Sequence, residues 1–260
     1  MKLVERLNVF IKYLPLLIEF VERDIKTRYR RSILGLFWTL LNPLLTMIVM
    51  TVVFSQIFKS NIIHFPVYLL AAQIIINYFS ESTSNSMTSI ISGSSLIKKI
   101  YIPKYLFPLS KVIAPLVNWS ASFIALLTVM LVTGVTIRPT ILLVFIPIFA
   151  IFILAFGVGL ILSSISMYFR DTIHFYGVLL LLLNYMTPLF YPIEILPLKT
   201  MLLVQLNPLT NIVEYFRLIT LYGVIPPLYL AIMCLLPGIV MVIIGLWIFY
   251  CKQDEFILLM

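Results

Sequence analysis

No residue between Ser32 and Ser55 carries a charge. A helix needs about 20 apolar residues to cross the hydrocarbon core of a bilayer, and this run is long enough. Hydrocarbon offers peptide groups no partner, so a run that enters it must satisfy its own backbone as a helix. The residues just before it behave differently. Leu14, Leu17, Ile18, Val21, Ile25 and Tyr29 recur at helical spacing as one apolar stripe. Glu19, Glu22, Arg23, Lys26 and Arg30 lie off that stripe. Glu19 with Arg23 and Glu22 with Lys26 are i,i+4 pairs with the acid first, the favourable order. No loop signal separates the two stretches. Residues 14–31 are therefore expected to lie along an interface as an amphipathic helix, and residues 33–58 to pass through it. Arg28, Arg30 and Arg31 stand at the junction and hold it on the cytoplasmic side.

The rest of the chain extends this pattern. Its 260 residues have a mean hydropathy of +1.11 and only 11% are charged, more apolar surface than a soluble domain of this size can hide. The expected fold is an all-α polytopic membrane protein. A formal net charge of +8 raises nucleic acid as a partner, but the basic residues sit between long apolar runs, as membrane orientation requires. Residues 1–12 are too charged and broken for a signal peptide. Cys234 and Cys251 suggest no disulfide framework.

Further spans are expected at 67–85, 112–133, 140–168, 172–187 and 228–250, which makes six with both termini cytoplasmic. Of the 18 basic residues, all but Lys59, Arg138, Lys199 and Arg217 then fall on the inner side. Asn42-Pro43 predicts a kink in the first span. Glu81, near the end of the second, has two readings: a carboxylate reaching the interface, or a buried ion pair. Residues 83–99 are rich in Ser, Thr and Asn and lead into Lys98 and Lys99. They read as a solvated loop or as a short helix that docks a cytoplasmic partner. Gly157 and Gly159 predict close helix contact in the fourth span. Pro192, Pro197 and Pro208 break residues 192–222 into pieces too short to cross, which read as re-entrant or surface-lying helices on the outer side.

Catalytic signatures are missing. No GxxxxGK[ST] phosphate loop and no HExxH or Cys/His cluster occurs. His64 and His174 flank spans and read as interfacial. Arg170-Asp171 reads as a local ion pair or cap. Tyr176, Tyr185, Phe190 and Tyr191 gather in and after the fifth span, where they read as an interface belt or as stacking surfaces along a glycan passage.

Three stretches resemble the membrane subunit of ABC-2-type polysaccharide exporters, the group that moves O-antigen, capsular polysaccharide or teichoic acid. Residues 23–35 read RDIKTRYRRSILG, with Trp38 and Asn42-Pro43 following. Residues 96–104 read LIKKIYIPK, followed by Leu106-Phe107-Pro108. Tyr168-Phe169-Arg170-Asp171 is followed by Pro188, Tyr191-Pro192, Asn207-Pro208 and Arg217. Ile102 stands where the family often has phenylalanine, which keeps the position apolar. The resemblance implies an N-terminal interface helix touching an ATPase through Glu22, Arg23, Lys26, Arg28, Arg30 and Arg31. It implies a coupling helix with Leu96, Ile97, Lys98 and Lys99, a second cytoplasmic contact at Arg170 and Asp171, and paired outer gate helices after Pro192. Spans 1 and 5 would line the conduit, adding Trp38 to Tyr176, Tyr185, Phe190 and Tyr191. The family works in the bacterial inner membrane as a homodimer with two copies of a separate ATPase subunit. That partner, not this chain, binds ATP and Mg, and the cargo is a lipid-linked polysaccharide. A small-lipid or drug exporter on the same scaffold and a membrane glycosyltransferase are the competing classes.

Overall fold

The computed structural model describes residues 2–29, 35–56 and 62–259, and every regular element among them is helical. The first helix, α1 (Lys2–Tyr29), starts well ahead of the expected Leu14 and keeps Pro15 in its interior. An interior proline deprives the carbonyl four residues back of its donor. That residue, Ile11, is exposed, and the helix continues through the proline. Leu17 and Phe20 are buried, and the Phe20 ring lies 5.1 Å from that of Phe107. Burying two such side chains is worth about 1.5–3 kcal/mol each. Leu14 and Ile18 remain exposed. The apolar stripe is thus divided: Leu17 packs on the protein, with Phe20 added from outside the stripe, Val21 and Ile25 are half-buried, and Leu14 and Ile18 are left for the surroundings. The side chain of Tyr29, and Arg30 and Arg31 altogether, lie outside the described residues.

A 3₁₀ turn, Gly35–Phe37, leads into α2 (Trp38–Gln56), which keeps Pro43 inside. The expected first span, 33–58, therefore coincides with described helix from Trp38 to Gln56; residues 57 and 58 lie outside the described residues. α3 (Phe65–Met87) starts from His64, which holds a left-handed conformation with φ 52° and accepts from the amides of Val67 and Tyr68 at 3.0 and 3.1 Å. The histidine acts as a backbone corner, in line with a structural role. α3 is the centre of the molecule: Val67, Leu70, Ala71 and Ile75 are fully buried along it.

Around α3 stand α6 (Leu106–Ile113), α7 (Leu116–Val132), α8 (Phe145–Tyr168) and α9 (Thr172–Met186), with α2 leaning on both α3 and α7. α6 and α7 are one rod broken at Ala114–Pro115, so helix begins at Leu106, ahead of the Val112 at which the span was expected to start. The last long helix, α12 (Leu228–Lys252), packs along α8. Among the described residues, three helical stretches are long and apolar enough to cross a membrane: Leu106–Val132, Pro139–Tyr168 and Leu228–Lys252. Trp38–Phe54 and Thr172–Met186 are apolar but shorter. α3 has the length, but Asn77, Ser80, Glu81 and the following Ser/Thr residues make its second half polar.

Glycine explains how α8 and α12 meet. A Cβ at Gly157 would sit 2.4 Å from the carbonyl carbon of Met241, and one at Gly245 would sit 2.6 Å from the Gly157 oxygen. Only backbone fits there, so the two helices touch main chain to main chain.

The proline-rich segment folds as short pieces: a 3₁₀ turn Ile193–Ile195, α10 (Leu198–Leu206), α11 (Pro208–Arg217) and a π-helical turn Leu218–Tyr222. Asn207 caps α11 by accepting from the Leu209 amide at 3.1 Å, and Pro208 takes the first helical position, which has no use for an N–H. The same side chain donates to Thr187 Oγ1 at 3.0 Å, just past the end of α9.

Candidate functional site

Two ion pairs join α1 to the bundle at the end where the basic residues concentrate. Lys111 Nζ on α6 lies 2.8 Å from Asp24. Arg28, one helical turn further along α1, pairs with Glu81 of α3. Asn118 of α7 donates its amide to both Glu81 oxygens at 2.9 and 3.0 Å. Glu81 is ion-paired, with its carboxylate held from two helices at once, but the pair is not buried: 41% of the Arg28 side chain and 27% of that of Glu81 are exposed. Such a group is expensive in a membrane bundle unless it is paired in this way.

The pair closes one side of a cavity of about 620 Å³ between α2, α3 and α7. Trp38 and Asn42 enter it from α2, Asn77, Glu81 and Ser84 from α3, and Asn118, Trp119 and Ser122 from α7. The α3 residues recur at i, i+4 and i+7 and so share one helix face. A second cleft of about 370 Å³ adjoins it, lined by Arg23, Asp24, Arg28, Asn85, Lys111 and Asn118 among others. The polar spacing on α3 was visible in the sequence. The partners it finds on α2 and α7, distant in the chain, were not.

The expected coupling residues are spread over the same end. Glu22 and Lys26 pair on the open face of α1 at 2.8 Å. The hydrogen bond and charge of Lys26 hold the Glu22 carboxyl below its ordinary pKa, and Glu22 raises that of Lys26. Arg23 is exposed and lies 3.7 Å from Asp24. Residues 83–99 are not one helix: α3 runs to Met87, and two single turns follow, α4 (Ser89–Ser92) and α5 (Ser94–Ile97). Ile97 is buried with Leu106 and Phe107, whereas Leu96 is half-buried and Lys98 and Lys99 are exposed. Arg170 and Asp171 are exposed at the start of α9. A cavity of about 120 Å³ joins Ile91 and Ser94 to Arg170, with Leu259 as a further wall. Leu259 belongs to the C-terminal turn α13 (Phe256–Leu259). That turn is held by buried Phe256 against Phe249 and by Glu255, which accepts from the Tyr168 hydroxyl and pairs with Lys252. The C-terminal segment was not expected to adjoin the coupling region.

The aromatic residues expected along a passage are not gathered in one place. Trp38 is exposed at the large cavity. Tyr176 is buried and donates to Thr83 Oγ1 at 2.6 Å, so within this chain it joins α9 to α3. Tyr185 is exposed; Tyr191 donates to the Tyr185 carbonyl at 2.9 Å; and Phe190 stacks on Phe54 with ring centres 4.8 Å apart. Arg217, noted in sequence as an outer basic residue and as part of a resemblance, is buried. It donates Nε to the Tyr68 carbonyl at 3.1 Å and Nη2 to that of Leu189 at 3.3 Å.

These features can be set beside known proteins. The ABC-2 type transporter family matches residues 16–221, from α1 through the π-helical turn. The O-antigen export system permease protein RfbA of Klebsiella pneumoniae is 30% identical over 237 residues, 90% of this chain and 90% of that protein. The protein of the same name from Myxococcus xanthus is 33% identical over 214 residues, covering 80% of this chain and 81% of the relative. The polysialic acid transport protein KpsM of Escherichia coli is 24% identical over 198 residues, 75% and 77% of the two chains. The family match takes in the second half of α1, the polar cleft and the capped helix α11 alike, and the chain belongs to the ABC-2 type transporter family of membrane proteins.

Proposed function

We propose that this chain is the permease subunit of an ATP-driven exporter that carries a lipid-linked polysaccharide, O-antigen as first choice, from the cytoplasmic side across a bacterial inner membrane. The observation that carries the reading is the likeness to O-antigen export permeases along 90% of both chains. The chain is a transport subunit. Its cycle is driven by two copies of a separate ATPase that binds ATP and Mg, and the working unit is a homodimer embedded in membrane lipid.

In this reading α2, α3, the α6–α7 rod, α8, α9 and α12 are six spans, and the basic end is cytoplasmic. Positive charge on Arg23, Arg28, Lys98, Lys99, Lys104 and Lys111 supports that orientation. α1 is the interface helix. The turns α4 and α5, with Leu96, Lys98 and Lys99, and the Arg170-Asp171 corner form the coupling contacts, and Arg30 and Arg31 extend the contact from α1. α10 and α11 are the outer gate helices. Trp38, Tyr185, Phe190 and Tyr191 offer ring faces to a passing glycan, and Tyr176, buried against α3, fixes α9 in place beside α3.

Capsular polysaccharide and teichoic acid are alternative cargoes on the same scaffold, and the E. coli relative is a polysialic acid transport protein. The test is chemical. A strain lacking this chain is expected to accumulate lipid-linked glycan on the inner leaflet, identified by mass spectrometry, and to lose the same glycan from its surface. Unchanged surface glycan and no accumulation would exclude glycan export and leave the small-lipid exporter reading.

A further inference from the structure

The C-terminal turn α13 is tied to the coupling segment at two places. Lys104, late in the loop that follows α5, donates Nζ to the Gln253 carbonyl at the end of α12. Leu259 shares the wall of the small cavity with Ser94 and Arg170. Between these two points Phe256 is fully buried, in the same apolar core as Ile97, Ile102 and Met167. That ring anchors the turn. Its two neighbours take no such part in the core: Ile257 is 50% exposed and Leu258 86%.

The surroundings of the turn are not those of a lipid contact. Lys252, Asp254 and Glu255 precede it, so the chain has already left the apolar part of α12. Ser94 and Arg170 lie beside it, and hydrocarbon laid over Leu258 would cover these groups too, at high cost. The loop that Lys104 ties to the turn exposes Ile100 and Tyr101, with Lys98 and Lys99 next to them in the chain. Apolar and aromatic side chains within a polar rim have the anatomy of a protein interface. We propose that α13 is a further docking element for the ATPase subunit, which covers Ile257 and Leu258 when it seats on the coupling turns. This rests on the reading of α4, α5 and Arg170-Asp171 as coupling contacts, and it adds a segment that lies outside the family match.

Thiol labelling tests this on the full chain in lipid nanodiscs, with and without the ATPase subunit from the same gene cluster. Cys234 is buried, and Cys251, which is exposed, is first replaced by Ser. Leu258→Cys is then treated with a membrane-impermeant maleimide. Leu96→Cys serves as the marker for the coupling turns, and Ile239→Cys, exposed midway along α12, for the surface of a span. Leu258→Cys is expected to react in the chain alone and to become as inert as Ile239→Cys once the ATPase is bound. Leu258→Asp is expected to weaken ATPase binding about tenfold while leaving the yield of folded chain unchanged. Equal labelling of Leu258→Cys with and without the ATPase, while Leu96→Cys is protected, overturns the docking role of α13 and leaves the coupling contacts intact. So does full-strength ATPase binding by Leu258→Asp. A Leu258→Cys that is inert in the chain alone also overturns it: the turn then lies in lipid if a lipid-soluble maleimide reacts, and against a second copy of the chain if neither reagent does. An ATPase that does not bind the unmodified chain removes both layers.

Discussion

The guanidinium of Arg217 lies 3.3 Å from the centre of the Tyr68 ring and donates Nε to the carbonyl of that same tyrosine at 3.1 Å. One residue of α3 thus meets the cation twice, by ring face and by backbone. Stacking on an aromatic face with a fixed fork of donors is what guanidinium does and ammonium does not. Arg217→Lys is therefore expected to destabilise, and Arg217→Ala more so, by about 1–3 kcal/mol for each carbonyl left without a donor. Thermal unfolding of the purified chain in detergent measures this. A lysine variant with unchanged Tm would show that charge alone matters there.

The α8–α12 seam makes a prediction with its own control. Gly157→Ala must push the helices apart, because a Cβ there meets backbone of Met241 and Val242 rather than a movable side chain. The expected loss is about 1–3 kcal/mol, as for overpacking. Gly177 on α9 meets nothing within 4 Å, so Gly177→Ala is expected to be neutral or slightly stabilising through helix propensity. Equal effects of the two substitutions would refute the main-chain contact.

Leu96 and Ile97 are adjacent yet should fail differently. Ile97→Asp puts a carboxylate into packing against Leu106 and Phe107, so less folded chain is expected in the membrane. Leu96→Asp changes a half-buried position and is expected to spare insertion while reducing co-purification of the ATPase partner. Membrane yield and partner recovery, measured on the same preparations, decide the matter. If Leu96→Asp retains full partner recovery and stimulated hydrolysis, α5 is not the contact.

Acid should loosen the C-terminal turn. The Tyr168 hydroxyl first, and Lys252 second, hold the Glu255 carboxyl below its ordinary pKa. A depressed folded-state value means the contribution is complete above the unfolded pKa, about 4.3 for Glu, and is lost as pH falls through the folded value. Hydrogen exchange in Phe256–Leu259 is expected to rise, relative to α8 and beyond the intrinsic rate change, only below that range. Tyr168→Phe should move the onset to higher pH, and the same onset in both proteins would remove Glu255 as its cause.

Long apolar runs, Gly157 and the proline breaks were legible in the sequence because each is a local constraint on one backbone segment. Asn207-Pro208 could be read the same way: a capping side chain followed by a residue without an N–H. The amphipathic pattern marks a helix only from Leu14, because the apolar stripe begins there; that α1 runs unbroken from Lys2 through Pro15 is seen only in the structure. The inward side of α1 was equally hidden. Phe20 looks like an off-stripe aromatic until Phe107 is placed beside it. Glu81 could be narrowed to two readings, but choosing between them required Arg28 and Asn118, whose approach depends on the packing of three helices.

Asn207 has an energetic consequence beyond its local geometry. Its oxygen starts α11 while its amide holds Thr187 at the end of α9, so both elements hang on one side chain. Swinging that side chain away with Thr187 uncaps α11, at about 0.5–2 kcal/mol for a lost cap; keeping the cap breaks the link to α9. The carboxamide therefore works as a shared bearing. A displacement of α9 larger than the hydrogen bond tolerates either drags the first turn of α11 with it or frays that turn, and the two motions cannot be independent.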